Sequence, residues 1–584
     1  MSDKGYWKRP LTLAQLLEEL EKDDVVDFPE QILIFPPENA NDDCDTDEDS
    51  GDEDLVVPDN LPGAQLSAEV EVQSSENNSQ DWDSDDNKPL STFVERRPKV
   101  LKNFEYESSD LEITTFSDWK DVSSVQNNLS SAATFKLFFD QEVINLVLYF
   151  SNIFAQQKNR AGDIAADELL CFIGVLLLSG YVPLPRKKMF WQNRDDTNNK
   201  LVCEAISRDR FQYIMSNLHC NDNTKLNKAD KYSKLRPLFD ILNKKFFEYA
   251  PAEENHSIDE SMIPYFGRHS GKQFIRGKPI RWGYKFWIGA LRLGYIVYFD
   301  PYQGSSTTLP EKYKHMGLGA SVVLQYADIL DTMHYDFFHL YFDNFFTSIS
   351  LLKELKLRNI KATGTLRENR LPHSPLSKAA TLKKKERGVF EYVLADKEVV
   401  VAKWNDNSVV SVASNALQIF PVNKVKRFSQ SEKKHIYIDQ PRLIKSYNEN
   451  MGGVDRGDQN LSEYRVSIRG KKWYFPLFAH CVDMAMQNAW RLHKSNRGKL
   501  DLLEFRRSVA TELLESHKRT TKRGPSKSSK NLHEFSRYDR LDHLVTYQQN
   551  QRRCAVCHKK ANFVCHKCDV GLHPKDCFVN YHTI

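Results

Sequence analysis

HSIDESMIPYF (residues 256–266), KFWIGALRLGYIVYFD (285–300) and HLYFDNFF (339–346) are three apolar stretches in the middle of this 584-residue chain. Their β-branched and aromatic residues predict strands, and Gly294 marks a turn within the second stretch. Upstream of Pro251 the apolar side chains recur at helical spacing instead. The change of period at Pro251 therefore predicts that a strand-rich unit begins there.

Helices are expected on both sides of this strand-rich centre. Before it, apolar residues share one helical face from about Phe135, and residues 168–180 continue as a nearly all-apolar helix. Within the centre we expect one helical stretch at residues 320–333, followed by short strands between about residues 378 and 427 (GVFEYVLA, EVVVAKW and SVVSVAS). Residues 464–493 then predict a helix with an apolar stripe at Leu477, Cys481, Ala485, Ala489 and Leu492.

Charge is distributed unevenly along the chain. Residues 1–100 carry 27 acidic and 8 basic side chains, so the whole-chain net charge of +2 leaves +21 for residues 101–584. Because Lys and Arg side chains that neutralise phosphates release counterions, a basic body favours a polyanionic partner. The length also exceeds what one hydrophobic core organises, so two or more folded units are expected.

Residues 1 to about 105 are expected to form a disordered acidic leader. Residues 42–54 (DDCDTDEDSGDED) hold nine acidic side chains in thirteen positions and little that can be buried. Residues 13–21 are an exception, because Thr12 and Gln15 resemble a capping box and the leucines that follow share one helical face. That segment is expected to be either a nascent helix without a role or an element that docks on a partner.

Neither a secretion signal nor a membrane span is expected. The N-terminal residues lack the apolar stretch of a signal peptide, and the longest apolar run, residues 169–182, is shorter than the roughly 20 residues that cross a bilayer. A soluble, intracellular protein is therefore predicted. Five of the ten cysteines lie between Cys554 and Cys577, which in a reducing compartment indicates metal thiolates rather than disulfides.

Three aspartates stand where a side chain can project into a site: Asp259 and Asp343 end or follow apolar strands, and Asp455 lies beside glycines. Two strands that each deliver one carboxylate can place both on adjacent strands of a sheet, and a third from a helix start completes a set of metal ligands. Carboxylate oxygens suit Mg²⁺, and such sites catalyse phosphodiester cleavage. The alternative is that these aspartates only cap turns at strand ends, which is the common case.

The C-terminal segment has the spacing of a zinc module. Its candidate ligands are Cys554, Cys557, Cys565, Cys568, His573, Cys577 and His582. Each of the two CxxC pairs can bind one tetrahedral Zn²⁺, so two zinc ions in a cross-braced arrangement are predicted. An eighth ligand is left open: it is either His558 or His566, or one ion keeps a looser site. A chromatin-reader or ubiquitin-ligase type finger is the competing interpretation, although seven residues between the CxxC pairs are few for a RING.

Basic segments provide candidate DNA contacts. Residues 276–285 (RGKPIRWGYK) interleave cations with aromatic residues, and the candidate DNA-binding side chains are Arg276, Lys278, Arg281 and Lys285. A solvated basic hairpin is the alternative. Residues 383–387 (KKKER) and 518–530 are candidate nuclear-import signals or DNA-contact arms, and import is favoured for the second run because it lies in a predicted flexible linker.

The residues around the three aspartates carry a family resemblance. SIDESMIPYFGRH (257–269) occurs with RGKPIRWGYKFW (276–287), YFDNFFTSISLL (341–352) with KATGTLREN (361–369), and YNENMGGVDRGDQ (447–459) with RGKKWYFPLF (469–478). From about residue 105 to its end, the chain resembles the piggyBac transposase family.

The resemblance implies an α/β fold. It consists of an RNase H-like catalytic domain with a β-rich insertion, flanked by an α-helical dimerisation and DNA-binding domain and followed by a zinc-binding module. The implied boundaries are an acidic leader at 1–105, helical segments at 106–254 and 464–545, catalytic segments at 255–372 and 441–463, the insertion at 373–440 and the cysteine-rich domain at 553–584.

The resemblance also implies a function. Asp259, Asp343 and Asp455 correspond to the family's catalytic aspartates, which bind about two Mg²⁺ or Mn²⁺ ions, and Asp458 to a supporting acidic position. The implied reaction is cut-and-paste transfer of double-stranded DNA, from transposon ends into TTAA targets, by a nuclear homodimer or larger assembly. The family's cysteine-rich end binds transposon-end DNA, often with Cys where His573 stands. Two alternatives are a host-adopted descendant that binds DNA or chromatin without catalysis, and a nuclease without strand transfer.

Overall fold

The computed structural model describes residues 11–12, 29–34, 69–74, 104–112, 129–194, 196–275, 280–304, 307, 310–332, 338–430, 433–516, 537–539 and 541–583. In these ranges the strands are β1 (Leu11–Thr12), β2 (Pro29–Ile34), β3 (Glu69–Ser74), β4 (Tyr106–Glu107), β5 (Asn255–Pro264), β6 (Lys272–Ile275), β7 (Trp282–Leu291), β8 (Ile296–Pro301), β9 (His339–Phe342), β10 (Lys361–Thr365), β11 (Phe390–Ala395), β12 (Val399–Asn405), β13 (Val409–Ser414), β14 (Asn423–Ser429), β15 (Lys434–Gln440), β16 (Val545–Arg553), β17 (Lys560–Cys565) and β18 (Val570–Gly571).

The α-helices of the described ranges are α1 (Ser131–Phe135), α2 (Gln141–Gln157), α3 (Ala166–Ser179), α4 (Lys200–Ala205), α5 (Arg208–Asn217), α6 (Arg236–Glu248), α7 (Leu318–Leu330), α8 (Ile349–Leu357), α9 (Ala379–Leu382), α10 (Arg442–Asn450), α11 (Gly453–Glu463), α12 (Phe475–Ser495), α13 (Leu502–Ser516) and α14 (Asp576–His582). Short 3-10 helices lie at Lys187–Trp191, Asn223–Lys225, Glu311–Met316 and Glu368–Arg370. None of the described helices combines the length and the apolar character needed to span a bilayer.

The two helical segments of the chain pack against each other. Helix α13 lies so close to α3 that a Cβ added at Gly174 would approach Leu514 Cγ to 2.9 Å. The buried Arg506 of α13 donates to the carbonyl of Leu177 and forms a 2.8 Å ion pair with the equally buried Asp483 of α12. Residues more than 300 positions apart therefore belong to one helical unit on the strand-rich centre.

Helix boundaries differ from the predicted ones in two places. The helical face expected from Phe135 is divided between α1 and α2, because the Asp140 side chain caps α2 by accepting from the amides of Glu142 and Val143. The helix expected from residue 464 begins instead at Phe475, where Pro476 occupies the first turn. The apolar stripe from Leu477 to Leu492 is buried as predicted.

The predicted α/β class is confirmed by a large mixed sheet. Its strand order is β1-β3-β2-β6-β7-β5-β9-β10-β13-β12-β11-β4, with β8 paired to β7. Strands β5, β9 and β10 are parallel neighbours, whereas β7 runs antiparallel to β5. The predicted turn at Gly294 joins β7 to β8, with a φ of +96° that glycine adopts at little cost. Helix α7 confirms the helical stretch expected near residue 320.

The strands of the expected insertion join the same sheet. Strands β11, β12 and β13 cover the three predicted stretches, and β13 pairs antiparallel with β10, Thr363 lying opposite Ser414. Strands β14 and β15 form a separate two-stranded hairpin. The insertion is thus continuous with the central sheet at β10 rather than an independent β unit.

Part of the leader also differs from expectation. Strands β1, β2 and β3 lie inside residues 1–105, and β2 pairs antiparallel with β6, Ile32 lying opposite Phe274. The sequence explains this, because QILI in β2 is apolar and EVEV in β3 alternates with the period of a strand. The helix predicted at residues 13–21 and the acidic run at 42–54 lie outside the described residues.

Candidate active site and metal centres

Asp259 and Asp343 occupy equivalent positions on two neighbouring strands. Strands β5 and β9 are parallel, and Ile258 lies opposite Phe342, so the next residue of each chain segment is the aspartate. Both preceding residues are fully buried, while both aspartates are half-buried. Asp343 directly follows β9 as expected, but Asp259 lies in the middle of β5, because that strand continues to Pro264 in its pairing with β7. The predicted placement of two carboxylates on adjacent strands is confirmed.

The turn after Asp343 is held by its own side chain and by two arginines. Asp343 Oδ1 accepts from the amide of Phe345 at 2.8 Å, an interaction that favours the charged carboxylate. Arg370 donates to the carbonyls of Asn344 and Phe345 at 3.0 and 3.2 Å, and Arg367 donates to Asn344 Oδ1 at 3.1 Å. Arg367 stands in the KATGTLREN stretch and Arg370 directly follows it, and the sequence alone did not show their positioning role.

Charges of both signs act on the Asp343 carboxyl, and its pKa is raised on balance. Burial raises the pKa of the Asp343 carboxyl, and the nearby charge of Glu260 raises it further, whereas Lys285 and Arg367 lower it. A carboxyl in these surroundings binds a proton more readily than an exposed one. A divalent cation would remove that preference, because it favours the ionised form of every carboxylate around it.

Asp455 reaches the same end of the sheet from a helix. It lies exposed in the first turn of α11, two residues after Gly453. A Cβ at Gly453 would come within 2.5 Å of both the Leu291 carbonyl oxygen and Ser257 Oγ. Only glycine therefore allows the helix start to sit on β5 and β7, two residues from Asp259.

Asp458 lies one helical turn beyond Asp455 and is half-buried. It accepts a short hydrogen bond from Ser261 Oγ of β5. This contact ties α11 to the strand that carries Asp259, so the side chain supports the geometry of the carboxylates.

A tyrosine that the sequence interpretation did not single out lies within electrostatic reach of all three aspartates. Burial raises the pKa of the Tyr447 hydroxyl, and the negative charges of Asp343, Asp259 and Asp455 raise it further. The three aspartates are separated by 84 and 112 positions in the chain, and all of them raise the pKa of one phenol on α10. All three carboxylates therefore lie within electrostatic reach of one phenol, and carboxylate oxygens are ligands that a divalent cation such as Mg²⁺ takes.

The four candidate DNA-binding cations have different placements. Arg276 and Lys278 lie outside the described residues, and Arg281 is exposed at the start of β7. Lys285 is 4% exposed, with its Nζ 4.2 Å from the centroid of the Trp287 ring and 3.9 Å from Glu260 Oε2. Lys285 therefore faces the carboxylate site rather than an open hairpin surface.

The C-terminal ligands fall into two groups of four. One group contains Cys554, Cys557, His573 and Cys577, and the other contains His543, Cys565, Cys568 and His582. Within each group the ligand atoms all lie within 4.8 Å of one another. The groups alternate along the chain, which is the connectivity of a cross-brace.

The eighth member is His543, which precedes the cysteine cluster. His558 and His566, the two predicted candidates, belong to neither group. His543 was missed because it lies 22 residues before Cys565, beyond the short spacing that marks a zinc ligand in a sequence. Strand β16, which follows His543, pairs with β17, so the module begins before the predicted boundary at residue 553.

Each histidine of the two groups presents one ring nitrogen to the cysteines and is held through the other. His543 Nδ1 lies 3.4 and 3.5 Å from the sulfurs of Cys565 and Cys568, while its Nε2 lies 3.1 Å from Asp539 Oδ1. His573 Nδ1 is 3.4 Å from Cys557 Sγ, and its Nε2 is 3.2 Å from the Lys560 carbonyl. An oxygen partner requires the outer nitrogen to carry the proton, which leaves a lone pair on the inner one.

His582 completes this pattern. Its Nδ1 lies 3.0 Å from the Arg537 carbonyl, while its Nε2 is buried without a hydrogen-bond partner among the described residues. A hydrogen bond from Cys568 lowers the pKa of the Cys565 thiol, which favours its thiolate form. A buried lone pair among thiolates and imidazoles is the donor set that Zn²⁺ takes.

Comparisons with known proteins agree with this geometry. The family model described as "Transposase IS4" matches residues 130–490. The human PiggyBac transposable element-derived protein 3 is 44% identical over 597 residues, covering 98% of this chain and 100% of that protein. The human Chimeric ERCC6-PGBD3 protein is 44% identical over 611 residues, and the chain spans 100% of its own length but 57% of that protein.

A solved structure shares the fold. It is a cryo-EM structure of a piggyBac transposase synaptic complex with hairpin DNA, which matches with a TM-score of 0.56 and 21% identity over 78% of this chain and 97% of that chain. The same family is indicated by the motifs around the aspartates, by the family model and by the relative of matching length. The chain therefore belongs to the piggyBac transposase family.

Proposed function

We propose that this chain is a metal-dependent DNA transposase that cleaves phosphodiester bonds and joins the released ends to a target. The observation that carries the proposal is that Asp259, Asp343 and Asp455 all act by charge on Tyr447, with β5 and β9 as parallel neighbours, in a chain of the piggyBac family. The central sheet with its parallel strands serves as an RNase H-like catalytic domain in this proposal.

The three aspartates would hold about two Mg²⁺ or Mn²⁺ ions, which supply Lewis-acid activation and charge stabilisation for phosphoryl transfer. Asp259 and Asp343 bind from adjacent strands, and Asp455 binds from the start of α11. Asp458 fixes that helix through Ser261. Lys285, enclosed by aromatic rings, offsets the charge that Glu260 adds to the site.

The proposed reaction is a series of phosphoryl transfers that need alignment rather than a protein nucleophile. Water attacks one strand, the released 3′-hydroxyl attacks the opposite strand to form a hairpin, and the reopened end attacks target DNA. The substrates are double-stranded transposon ends and, by family resemblance, TTAA targets. Two ends must be held together, so the enzyme acts as a homodimer or a larger assembly.

The cysteine-rich module is proposed to bind two zinc ions and to contact transposon-end DNA. Its ligand set is His543, Cys565, Cys568 and His582 at one site, and Cys554, Cys557, His573 and Cys577 at the other. The charge of +21 on residues 101–584 favours a polyanionic partner, and in this proposal that partner is DNA.

A nuclear location follows from a substrate that is chromosomal DNA. Of the two basic runs, residues 518–530 lie outside the described residues. The other run is built into the fold, since Lys385 pairs with Glu391 at 2.7 Å and Arg387 contacts Asp406. We therefore assign import to residues 518–530 rather than to 383–387.

A second candidate is a host-adopted protein that binds DNA without transposing it. The observation in its favour is the name of the 44% identical human relative, which is a transposable element-derived protein. The intact set Asp259, Asp343 and Asp455 favours the enzyme instead.

The deciding experiment measures metal-dependent cleavage of DNA that carries the sequences flanking this protein's gene, with binding measured in parallel. Asp343→Asn keeps the size of the side chain and removes its charge, so it should bind DNA normally but lose at least about a thousandfold in cleavage rate. Nicked and hairpin products with Mg²⁺ or Mn²⁺ that vanish in the variant establish the transposase. Free ends without joined product indicate a nuclease, and tight binding without cleavage by either protein supports the adopted DNA-binding protein.

A further inference from the structure

We propose that the outer face of the β14–β15 hairpin binds unpaired DNA by stacking bases on its exposed aromatic rings. The outer face is defined by Lys424, Lys426, Phe428, His435 and Tyr437. The proposal rests on the proposed function in taking DNA as the substrate, but it concerns a surface separate from the carboxylates and the zinc module.

The outer face is set by the strand register. Lys426 lies opposite Tyr437 and Phe428 opposite His435, and these residues alternate with inward-facing ones along both strands. Phe428 is 52% exposed and Tyr437 is 67% exposed. The two rings are diagonal neighbours across the hairpin, a separation of about 7 to 8 Å that one nucleotide of an extended strand can span.

The inner face holds the hairpin firmly on the sheet. Arg427 donates to Asp406 at 2.9 Å, and the Trp404 indole donates to the Asp439 carbonyl at 2.6 Å. Gly388, whose φ is +95°, lies so close that a Cβ there would approach the Asp439 amide nitrogen to 2.9 Å. The aromatic exposure on the outer face is therefore a feature of a well-packed hairpin.

The charge of the hairpin selects an anionic occupant. Residues 423–440 contain five Lys or Arg and two acidic residues, a net charge of +3. Lys424 pairs with Asp439 at 2.5 Å, while Lys426 forms no ion pair with any residue that the structure describes. Cations beside exposed aromatic rings are the combination that binds single strands, because phosphates meet the cations and bases stack on the rings.

Exposed rings favour an unpaired strand over a duplex. In duplex DNA each base is already stacked on its neighbours, so a protein ring gains contact only after a base is pulled out of the helix. An unpaired strand offers its bases without that cost. Phe428 and Tyr437 consequently strengthen the binding of a single strand, on which bases can stack, and add nothing to the binding of intact duplex.

The hairpin borders the candidate active site. A cavity of about 210 Å³ lies between its inner face and α10, lined among others by Arg427, Trp404, Thr365 and Tyr447. Tyr447 is the phenol on which the charges of the three catalytic aspartates act. The inner face of the hairpin therefore lies toward Tyr447, and an unpaired strand released nearby would reach Phe428 and Tyr437 by passing around the hairpin to its outer face.

The test uses the full-length protein without added Mg²⁺ and two fluorescein-labelled probes, an oligo(dT) of about 20 nucleotides and a duplex of equal length. Fluorescence anisotropy gives the Kd of each. The Phe428→Ala, Tyr437→Ala double variant should lose about tenfold or more in affinity for oligo(dT) and stay within about twofold of wild type for the duplex. The matched control is Tyr149→Ala, which removes an equally exposed ring (63%) from α2 and should change neither Kd.

A second readout separates stacking from misfolding. The double variant Phe428→Trp, Tyr437→Phe keeps both aromatic rings and should bind oligo(dT) with close to the wild-type affinity. When the probe carries a 2-aminopurine, its fluorescence should be quenched by wild type and by this variant, but not by the double alanine variant. An equal loss for oligo(dT) and duplex, or no loss for either, overturns the proposal. Asp343→Asn should bind oligo(dT) as tightly as wild type does. If wild type binds oligo(dT) through the two rings but cleaves no DNA, the proposed enzyme is contradicted while this inference stands.

Discussion

Asp259 and Asp343 lie on neighbouring strands because each follows a buried residue of one of two parallel strands. Ile258 and Phe342 lie opposite each other in the sheet, so the register alone brings the following side chains together. Asp455 needs a different device, a helix start brought in by glycine. Carboxylates that act on the same buried phenol repel one another, and a divalent cation bound between them would relieve that repulsion.

At the residue scale, Asp539 is expected to control zinc binding although it contacts no metal ligand atom. Its carboxylate accepts from His543 Nε2 at 3.1 Å and pairs with the buried Lys567. Asp539→Asn weakens the hold on the imidazole and leaves Lys567 unpaired, so zinc affinity at that site should fall by about 10- to 100-fold. Competition with a chromophoric chelator measures this change.

The control for that measurement is Asp542→Asn. Asp542 pairs with Lys158 on the surface and its side chain is 68% exposed, so its loss should leave zinc affinity unchanged. Equal affinities for wild type and Asp539→Asn would show that the carboxylate does not position His543.

At the element scale, the docking of α11 on the sheet decides where Asp455 lies. The helix begins at Gly453, and Val454 N donates to Ser257 Oγ at 3.2 Å. No other helix in the described ranges delivers a candidate catalytic carboxylate. The position of this single helix start therefore determines whether the acidic site is complete.

Gly453→Ala should separate the helix start from β5 and β7, because the added Cβ would meet backbone oxygen and Ser257 Oγ at 2.5 Å. A displacement of about 1 Å at a catalytic group can cost about a hundredfold in rate, and we expect a loss of that order in DNA cleavage. Thermal unfolding should show a destabilisation of about 1 to 3 kcal/mol, which leaves the protein folded.

Gly452→Ala is the matched control for Gly453→Ala. A Cβ at Gly452 would meet nothing within 4 Å, and its φ of −74° suits alanine. This variant should cleave DNA at close to the wild-type rate. Full activity of Gly453→Ala, or an equal loss in Gly452→Ala, would contradict the role given to the close approach.

At the scale of the whole molecule, the described residues form three hydrophobic cores of different size, one of which lies in the insertion around Val400, Trp404 and Ile438. The large core joins the helical unit to the central sheet, whereas the C-terminal module has a small core of Cys554, Ala561, Cys565, Cys568, Leu572 and Tyr581. Half of those six residues are candidate metal ligands. A module of this size depends on its metal for stability, but the body does not.

Removal of zinc should therefore unfold the C-terminal module and leave the body intact. Hydrogen exchange after chelation should rise in β16, β17 and α14 while the central strands stay protected. Cys557→Ser should reproduce this pattern without chelator, and Cys203→Ser, at an exposed cysteine outside the module, should not. Unchanged protection of β17 after chelation would refute the metal dependence.

The sequence predicted much of the secondary structure where the signal is local. The strands around Asp259 and Asp343, the turn at Gly294 and the buried stripe of α12 were all readable from period and composition. The prediction failed where a boundary depends on a capping contact, as at Asp140, or where the partner of a strand is distant, as for β2 beside β6. That Arg281 binds DNA and that Asp458 supports metal binding both stay predictions.

By itself the sequence determined the family, the three aspartates and seven of the eight candidate zinc ligands, because motif words and short cysteine spacings are local properties of the chain. Only the tertiary structure decided that His543 completes the second group, that Tyr447 lies within electrostatic reach of all three carboxylates, and that Phe428 and Tyr437 face outward. Those three facts depend on which distant segments pack together and on strand register. The packing of distant segments and the strand register leave no pattern in the nearby residues. A histidine, a tyrosine or a phenylalanine looks the same in a sequence whether it is buried, exposed or a ligand.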